Sequence, residues 1–452
     1  MSFSECTSLV RSWVDYVLLP FTKREHGSAD YLAAERKLSK NELDRLKQAF
    51  SSAVKGAQDA CANRTQLMEI LHVEGLHENA AQRLHKTMKG DAAGVTFENL
   101  VVFMASVVKG PSEMAAHLTY ELLVAAKSPE AQGEVLEQNL HALIAWVTGS
   151  EPGRDLSKAL AQGAMRGTEG SGFRGPAEFM QWCKGFPAVS AAVVSLLDLQ
   201  GRPAPSASAK PGPQVMYHRP QLLFSSSATH TASLEDCLMY EGLIWLLSAW
   251  VPPDQAEVWE LLFNGQVNGA SFNTFMGKAA EKGPAMVLVR DKKGHLFGGY
   301  AAEGWSKHGQ FYGSALSFIF SLAPAVARFR ASGANDNMLW CGQGFSQLPN
   351  GIGWGGKAGY FGLYVDSTFE QGMSRPCSTY NSQCLAADEV FDVDVVECWS
   401  LKQPEEEPQQ SSKAGGSSVL DKFKEDRHLM NLAGRATQAS AGVREARPED
   451  EL

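Results

Sequence analysis

The spacing of apolar residues divides the chain into a helical first half and a strand-rich second half. In the stretch SKNELDRLKQAF, apolar side chains recur at the spacing of one helix face, at Leu43, Leu46 and Phe50. Ser39 and Glu42 precede this face with the spacing of a capping box. Similar patterns follow, so the sequence predicts an all-α domain over residues 39–200.

A stretch rich in Pro, Ser and Gly at residues 201–214 ends the helical half, because it favours turns over regular structure. Beyond it, SLEDCLMYEGLIWLLSAWV predicts a capped helix, and Pro252-Pro253 is expected to begin another. AMVLVRDKKGHLFGGYAA then predicts a β-hairpin with its turn at residues 291–294.

Four later runs predict further strands: SALSFIFSL, NMLWCG, YFGLYV and VFDVDVVECW. In the last run, Phe391, Val393 and Val395 are expected on one face, with Asp392 and Asp394 on the other. Short strands separated by Gly and Asn predict a two-sheet antiparallel sandwich with a few helices outside it.

Two stretches of the helical half have the spacing of EF-hand calcium loops but not the ligands. In SPEAQGEVLEQN, Gly133 and Val135 occupy the sixth and eighth places, while the twelfth is Asn139. In MKGDAAGVTFEN the eighth place is Val95 and the twelfth is Asn99. Calcium requires charged oxygens and a bidentate Glu at the twelfth place. We therefore expect degenerate EF-hands that bind no metal.

The segment Gly351–Gly356 matches G-x-G-x-x-G, but its flanks do not suit a dinucleotide site. Such a site needs a buried strand before the glycines and a helix after them. Here a Pro-containing loop precedes the glycines and an apparent strand follows, so no cofactor is predicted. We expect a long loop between strands, in which Trp354 either fills a local core or is displayed to a partner.

Composition and the remaining motifs narrow the function further. The chain has 41 basic and 50 acidic side chains, a net charge of -9, and no basic run interleaved with aromatics, so nucleic acid is not an expected partner. Its 8 cysteines lack metal-ligand spacing. No stretch reaches the roughly 20 apolar residues of a membrane span. A catalytic site assembled from distant residues, such as Cys341, His295 and Asp336, stays an open alternative.

The second half resembles the TLDc domain family. The matching blocks, in order, are EGLIWLLSAWVPPDQAEVWELLFNGQVNGASFNTF, HLFGGYAAEGW, GIGWGG, YFGLYVD and VFDVDVVECW. The degenerate EF-hands before these blocks and the tail beginning SSVLDKFKEDRHLMNLAG are similar to the MTOR-associated (EAK-type) branch of that family. That branch commonly begins Met-Gly for N-myristoylation, whereas Ser2 follows Met1 here, which leaves lipid anchoring open.

The resemblance implies a non-catalytic adaptor. Its expected partners are peripheral subunits of the vacuolar proton-pumping ATPase, components of the MTOR pathway and, indirectly, the lysosomal membrane surface. The expected location is the cytoplasm, peripheral to lysosomal membranes. The alternative is an oxidation-protective or hydrolytic enzyme with an unrecognised site in the TLDc domain.

The residues expected to bind the partner lie in two places. The first set belongs to the glycine-rich blocks and consists of Gly298, Gly299, Trp305, Gly351, Gly353, Trp354, Gly355 and Gly356. The second set lies on an amphipathic helix predicted after an acidic linker and consists of Leu420, Phe423 and Met430.

The expected organisation is α+β. The predicted boundaries are an N-terminal extension at 1–38, an EF-hand-like helical domain at 39–200, a linker at 201–220, a TLDc domain at 221–401, a flexible linker at 402–418, and a C-terminal helix and tail at 419–452.

Overall fold

A computed structural model describes residues 28–54, 61–71, 78–89, 93–108, 119–124, 126, 131–151, 155–166, 168, 172–197, 217–224 and 233–402. The predicted C-terminal helix with Leu420, Phe423 and Met430 therefore lies outside the described residues. So do most of the two predicted linkers and most of the N-terminal extension.

The first half of the described chain is helical, as predicted. Its helices include α1 (Ser28–Glu35), α2 (Lys40–Val54), α3 (Arg64–Leu71), α4 (Glu78–Lys89), α5 (Phe97–Val108), α6 (Gln132–Thr148), α7 (Leu156–Arg166), α8 (Pro176–Gly185) and α9 (Pro187–Leu197). The predicted capping box opens α2: Ser39 N–H donates to a Glu42 carboxylate oxygen at 2.5 Å, and Glu42 N–H donates to Ser39 Oγ at 3.3 Å.

The second half is built on strands. They are β1 (Gln221–Phe224), β2 (Val258–Asn264), β3 (Ala285–Asp291), β4 (Leu296–Ala301), β5 (Phe318–Ala323), β6 (Ala327–Arg330), β7 (Leu339–Gly342), β8 (Gly351–Lys357), β9 (Tyr360–Asp366), β10 (Gln371–Met373) and β11 (Val390–Lys402). Three α-helices accompany them: α10 (Glu241–Ser248), α11 (Gly265–Asn268) and α12 (Phe272–Ala279).

The strands run in the order β6-β5-β4-β3-β11-β10-β9-β8-β7, and β2 also pairs with β11. The pairs along this order are antiparallel, whereas β1 pairs with β2 in parallel. The long strand β11 links two parts of the sheet, β1 to β6 and β7 to β10, and side chains of the two parts share a core. The predicted α+β class is confirmed.

The capped helix expected from SLEDCLMYEGLIWLLSAWV is confirmed only over α10, and the capped start is a separate 3-10 turn at Leu234–Asp236. Two further predicted local structures are wrong. The glycine segment expected as a loop is strand β8, and it pairs with β7 and β9. The helix expected from Pro252-Pro253 is a 3-10 turn at Pro253–Gln255, followed by strand β2. Strand β8 pairs with its neighbours in the chain, whereas β2 pairs with the distant β11. In neither segment does local composition report the backbone pairing.

A β-bulge changes the face to which β11 directs its side chains. Val393 pairs with Asp291 and Val395 with Arg290, so one extra residue lies on the β11 side. Phe391 and Val393 belong to the core between the two parts of the sheet, whereas Val395 belongs to the core on the opposite face. The prediction that these three residues share a face is therefore wrong for Val395.

The β1–β6 part of the sheet is covered on both faces. On β4, Phe297 points into the core shared with β7 to β9, and Tyr300 points into a core shared with the helical half. Trp250, which follows α10, packs on Phe186 of the helical half with ring centroids 5.9 Å apart. The helices and the two sheet parts therefore form three layers, and no solvent gap separates the helical half from the sheet.

Candidate functional site

The predicted glycine-rich binding residues lie in the interior strands of the sheet. Gly298 and Gly299 are in β4, and Gly351, Gly353, Trp354, Gly355 and Gly356 are in β8. Trp305 follows β4. Trp305 and Trp354 are both 0% exposed, so neither indole is available to a partner in this conformation. Partner binding by this set remains a prediction, while the displayed position considered for Trp354 is wrong.

Trp354 connects the two parts of the sheet. Its indole N–H donates to the Tyr300 carbonyl at 3.2 Å, and its ring lies perpendicular to that of Trp305 with centroids 5.1 Å apart. A β-carbon placed on Gly299 would lie 2.4 Å from the Trp354 ring. Glycine at 299 is thus what allows the indole to lie against the β4 backbone.

Gly356 has a separate, conformational reason to be glycine. Its φ is 86°, in the left-handed region that side chains rarely adopt. A β-carbon there would also lie 2.1 Å from the Tyr360 carbonyl oxygen. The residue shapes the end of β8 before the turn into β9, which supports a role in the fold for this glycine.

A buried carboxylate joins the segment before α10 to the sheet. Glu397 of β11 is 0% exposed and accepts hydrogen bonds from Leu238 N–H at 2.7 Å and Asn264 Nδ2 at 3.1 Å. Its other oxygen accepts from Trp399 Nε1 at 3.1 Å. Burial raises the pKa of Glu397, and the donated hydrogen bonds oppose that shift.

Sequence reasoning did not single out Glu397. The available signal was a lone acid in the run VVECWSL, where alternation with exposed positions has stopped. A charge in such a run is buried, and a buried carboxylate needs several donors. Leu238 and Asn264 lie far from Glu397 in the chain, so these two donors could not be named from the sequence.

A cavity of about 1310 Å³ lies between α7 and the strand-rich half. Its lining includes the acids Asp155 and Glu235 and the bases Lys158 and Arg290. Arg290 is already paired with Asp394 at 2.7 Å. The mixture of charges therefore selects no single class of ligand.

The residues named for a distant catalytic site are engaged separately. Cys341 is buried and its sulfur contacts the Met276 sulfur at 3.6 Å. Burial raises the pKa of Cys341 to about 12, which leaves the thiol protonated at neutral pH. The His295 backbone N–H donates to Asp291 Oδ1 at 2.8 Å. Nothing in the described structure links Cys341, His295 and Asp336 as a hydrogen-bonded set.

Two features are absent from the described residues: a cluster of metal ligands and a membrane-spanning helix. Within the ranges given above, no three His, Cys, Asp or Glu side chains are grouped as a metal site would require. In the same ranges, no helix has the length and apolar character to cross a bilayer.

Residues 233–402 match the family model of the TLDc domain. The chain contains a TLDc domain. The resemblance inferred from the glycine-rich blocks is therefore confirmed, and the three-layer structure shows its β4 and β8 blocks as facing strands. The matched region begins just before α10 and ends with β11, so the TLDc domain includes the entire described sheet except β1.

Similarity extends beyond the TLDc domain. MTOR-associated protein MEAK7 of Danio rerio is 29% identical over 94% of this chain and 99% of its own length. The Homo sapiens protein of that name is 37% identical over 46% of this chain and 45% of its own. Homo sapiens nuclear receptor coactivator 7 is 30% identical over 38% of this chain and 17% of its own. These names denote association or coactivation and specify no reaction.

Proposed function

We propose that this protein is a non-catalytic adaptor that binds the peripheral sector of the vacuolar proton-pumping ATPase and links lysosomes to MTOR signalling. The observation that carries the proposal is similarity along 94% of the chain to a protein named for its association with MTOR. The ATPase part rests on the TLDc resemblance. Location in the cytoplasm, peripheral to lysosomal membranes, belongs to the same proposal.

The part of the TLDc domain that would contact the ATPase is proposed to be an apolar loop surface, which we define as Leu316 and Leu348 in the loops 302–317 and 343–350. These loops follow β4 and precede β8, the strands that contain the predicted glycines. They touch each other, because a β-carbon on Gly309 would lie 3.4 Å from Phe345. Leu316 is 69% exposed and Leu348 is 36% exposed, so the surface offers apolar side chains to a partner.

In this proposal the buried glycines and tryptophans act indirectly. Trp354 fixes β8 against β4, and the ends of those two strands hold the loops. A change at Gly353 would then weaken ATPase binding by displacing the loops. A surface change at Leu316 should weaken it without altering the core.

The predicted C-terminal helix is proposed as a second contact with the ATPase. It follows an acidic, Gln- and Ser-rich stretch in the sequence and presents Leu420, Phe423 and Met430. A flexible tether can give a second site millimolar local concentration, so a weak helix contact could raise the total affinity by a factor of about 100.

The helical half is proposed to be a metal-free EF-hand pair. Ala62 and Val95 exchange backbone hydrogen bonds of 2.8 and 3.0 Å in an isolated antiparallel bridge. Val95 is the eighth residue of the loop predicted from MKGDAAGVTFEN. The bridge joins the chain before α3 to the chain before α5, which supports pairing of the predicted loop at 88–99 with the connection between α2 and α3. The predicted loop at 128–139 is not part of this bridge.

A pull-down with purified, assembled vacuolar ATPase tests the adaptor proposal. The full chain is required, because the helical half and the TLDc domain share a core. We expect wild type to be retained, Leu316→Asp to lose about 10-fold in affinity, and Phe423→Asp to show a comparable loss. Leu32→Asp is the matched control, since Leu32 is 47% exposed on α1.

Failure of the wild-type chain to bind assembled ATPase would refute the ATPase proposal. Retention of Leu316→Asp with unchanged affinity would instead move the contact away from the loop surface. Co-precipitation of MTOR pathway components with the full-length chain tests the signalling link separately.

A further inference from the structure

Strand β6 is an edge of the sheet that is open along a short, bounded stretch. It pairs with β5 only, through Ala327 to Arg330. Just before β6, the Val326 N–H donates to the Ala159 carbonyl of α7 at 2.9 Å. Just after it, the Ser332 N–H donates to the Thr379 carbonyl at 2.8 Å. The outer edge of the four β6 residues has no described backbone partner between these two contacts.

The open edge has two arginines on one face. Arg328 and Arg330 are alternate residues of a strand, so their side chains point the same way. Phe329, between them, packs towards the core shared by the two parts of the sheet. The arginine face is therefore the face that also carries Trp250 and Phe318.

Arg328 is held in place by aromatic rings. Its guanidinium carbon is 5.3 Å from the Trp250 ring centroid and 5.7 Å from that of Phe318. Its Nη1 donates to the Trp250 carbonyl at 3.4 Å. Burial and the neighbouring Arg330 lower the pKa of Arg328 to about 10, because both disfavour its charge.

Neither arginine has an acidic partner within the described part of the chain. The ion pairs in the described part of the chain are made by other basic residues. A guanidinium has five N–H donors, and Arg328 uses one of them in a described hydrogen bond. A half-buried, positioned cation without a counter-charge favours binding of a carboxylate, which forms bidentate contacts with Arg.

We propose that the open edge of β6 binds an extended acidic segment of a partner protein by strand addition. The backbone of the added strand would pair with residues 327–330. Carboxylates at alternate positions of that strand would meet Arg328 and Arg330, since side chains opposite each other across paired strands lie about 5 Å apart. Strand addition requires a peptide backbone, which excludes a free anion or a lipid headgroup as the complete ligand.

The geometry limits the length of the contact. Four residues of strand span about 13 Å at roughly 3.3 Å per residue. The contacts of Val326 with α7 and of Ser332 with Thr379 close the two ends. The added strand should therefore be three or four residues long, and affinity should depend on its charge pattern. This surface is distinct from the apolar loop surface and does not depend on binding to the ATPase.

A fluorescein-labelled peptide, Val-Glu-Val-Glu-Val-Glu, is the probe for the full-length protein. Fluorescence anisotropy should show saturable binding, with a dissociation constant below about 1 mM. A peptide with Lys in place of Glu should not bind. A Glu peptide N-methylated at alternate residues should bind at least about 10-fold more weakly, because N-methylation removes the ladder donors and keeps the charge.

Protein variants test the arginines. Arg330→Glu should weaken binding of the Glu peptide by about 10-fold or more, and Arg328→Met should have a similar effect while keeping an apolar contact with Trp250. Lys47→Glu, on the exposed face of α2, is the control for the same change in net charge and should stay within about 2-fold of wild type. Arg330 is exposed, so its variant tests the proposal even if Arg328→Met does not fold.

Hydrogen exchange locates the contact. Binding of the Glu peptide should slow exchange at residues 327–330. It should leave exchange unchanged in β7, at the other end of the strand order, whose outer side already bonds to His308 and Tyr312. No binding up to about 1 mM, equal binding of the N-methylated peptide, or unchanged affinity of Arg330→Glu would each overturn the proposal. In that event the arginines would serve to keep the edge free of other strands.

Discussion

Trp354 of β8 lies against Gly299 of β4, with its indole N–H bonded to the carbonyl of the neighbouring Tyr300. The absence of a side chain at 299 and the large ring at 354 are complementary. Filling the space at 299 should therefore destabilise the domain, as removing the ring at 354 would. This pair joins two of the sequence blocks by which the TLDc domain was identified.

We expect Gly299→Ala to lower the free energy of unfolding by about 1–3 kcal/mol, because the added methyl overlaps the Trp354 ring. Urea unfolding followed by fluorescence measures the change. Gly277→Ala is the matched control: its β-carbon meets nothing within 4 Å in α12, and Ala favours a helix by about 1 kcal/mol. Equal effects of the two substitutions would contradict the close approach.

The sequence predicts part of the TLDc sheet but not its pairing, and strands β2, β6 and β10 are not among the predicted strands. Alternation and turn residues predicted the β3–β4 hairpin and strands β5, β7, β9 and β11. Strand β8 was missed because its glycines give no alternating signal. The space for Trp354 is provided 55 positions earlier, and no local pattern connects Gly299 with it.

The candidate sites show the same limit. The EF-hand spacing could be read from the sequence because its twelve places are contiguous. Glu397 and Arg328 could not be assigned, since their environments come from elements far apart in the chain. Arg328 depends on Trp250, and the bulge at Val393 that redirects β11 is fixed by pairing with β3.

The pH dependence of the unfolding free energy should reflect the raised pKa of Glu397. Its pKa is raised in the folded protein, so the stability it contributes is fully present below the unfolded-state pKa and is lost as pH rises through the folded pKa. The difference in unfolding free energy between wild type and Glu397→Gln should therefore become smaller as pH rises above about 4.5.

Urea titrations from about pH 4 to pH 8 measure this dependence on Glu397. Glu235→Gln, at an exposed position, should give a difference that changes little over the same range. A difference for Glu397→Gln that grows with pH would mean that the donors from Leu238, Asn264 and Trp399 outweigh burial.

Gly163→Ala should destabilise the contact between the helical half and the TLDc domain. A β-carbon on Gly163 of α7 would lie 2.1 Å from the Val326 carbonyl oxygen, and backbone cannot yield as a side chain can. We expect a loss of about 1–3 kcal/mol, with faster hydrogen exchange on both sides of the contact. Gly133→Ala in α6, which meets only Met165 at 3.4 Å, is the control.

Calcium should not bind the helical half. Both twelfth-place residues are Asn, and their amides are used inside the protein: Asn99 donates to the Lys89 carbonyl at 3.3 Å, and Asn139 donates to the carbonyls of Leu122 and Leu123. Isothermal calorimetry at millimolar calcium should show no saturable heat. A dissociation constant below about 10 μM, within the sensor range, would refute this.

Asn139 allows a more specific prediction. Substituting it distinguishes a role in packing from a remaining role as a calcium ligand. Asn139 is 0% exposed, and its Nδ2 donates at 3.0 Å to Leu122 O and at 3.2 Å to Leu123 O. Asn139→Asp would replace that donor with a carboxylate oxygen facing two carbonyl oxygens. We expect a loss of about 3–5 kcal/mol at pH 7, the cost of an uncompensated buried charge.

Urea unfolding at several pH values measures the effect of Asn139→Asp. The loss should shrink as pH falls, because burial raises the pKa of the new carboxyl and protonation restores a donor. Asn41→Asp, at an exposed position on α2, should change stability by less than about 0.5 kcal/mol. If millimolar calcium restored the stability of Asn139→Asp, the twelfth place would still be a working ligand position, and the packing role assigned to Asn139 would be wrong.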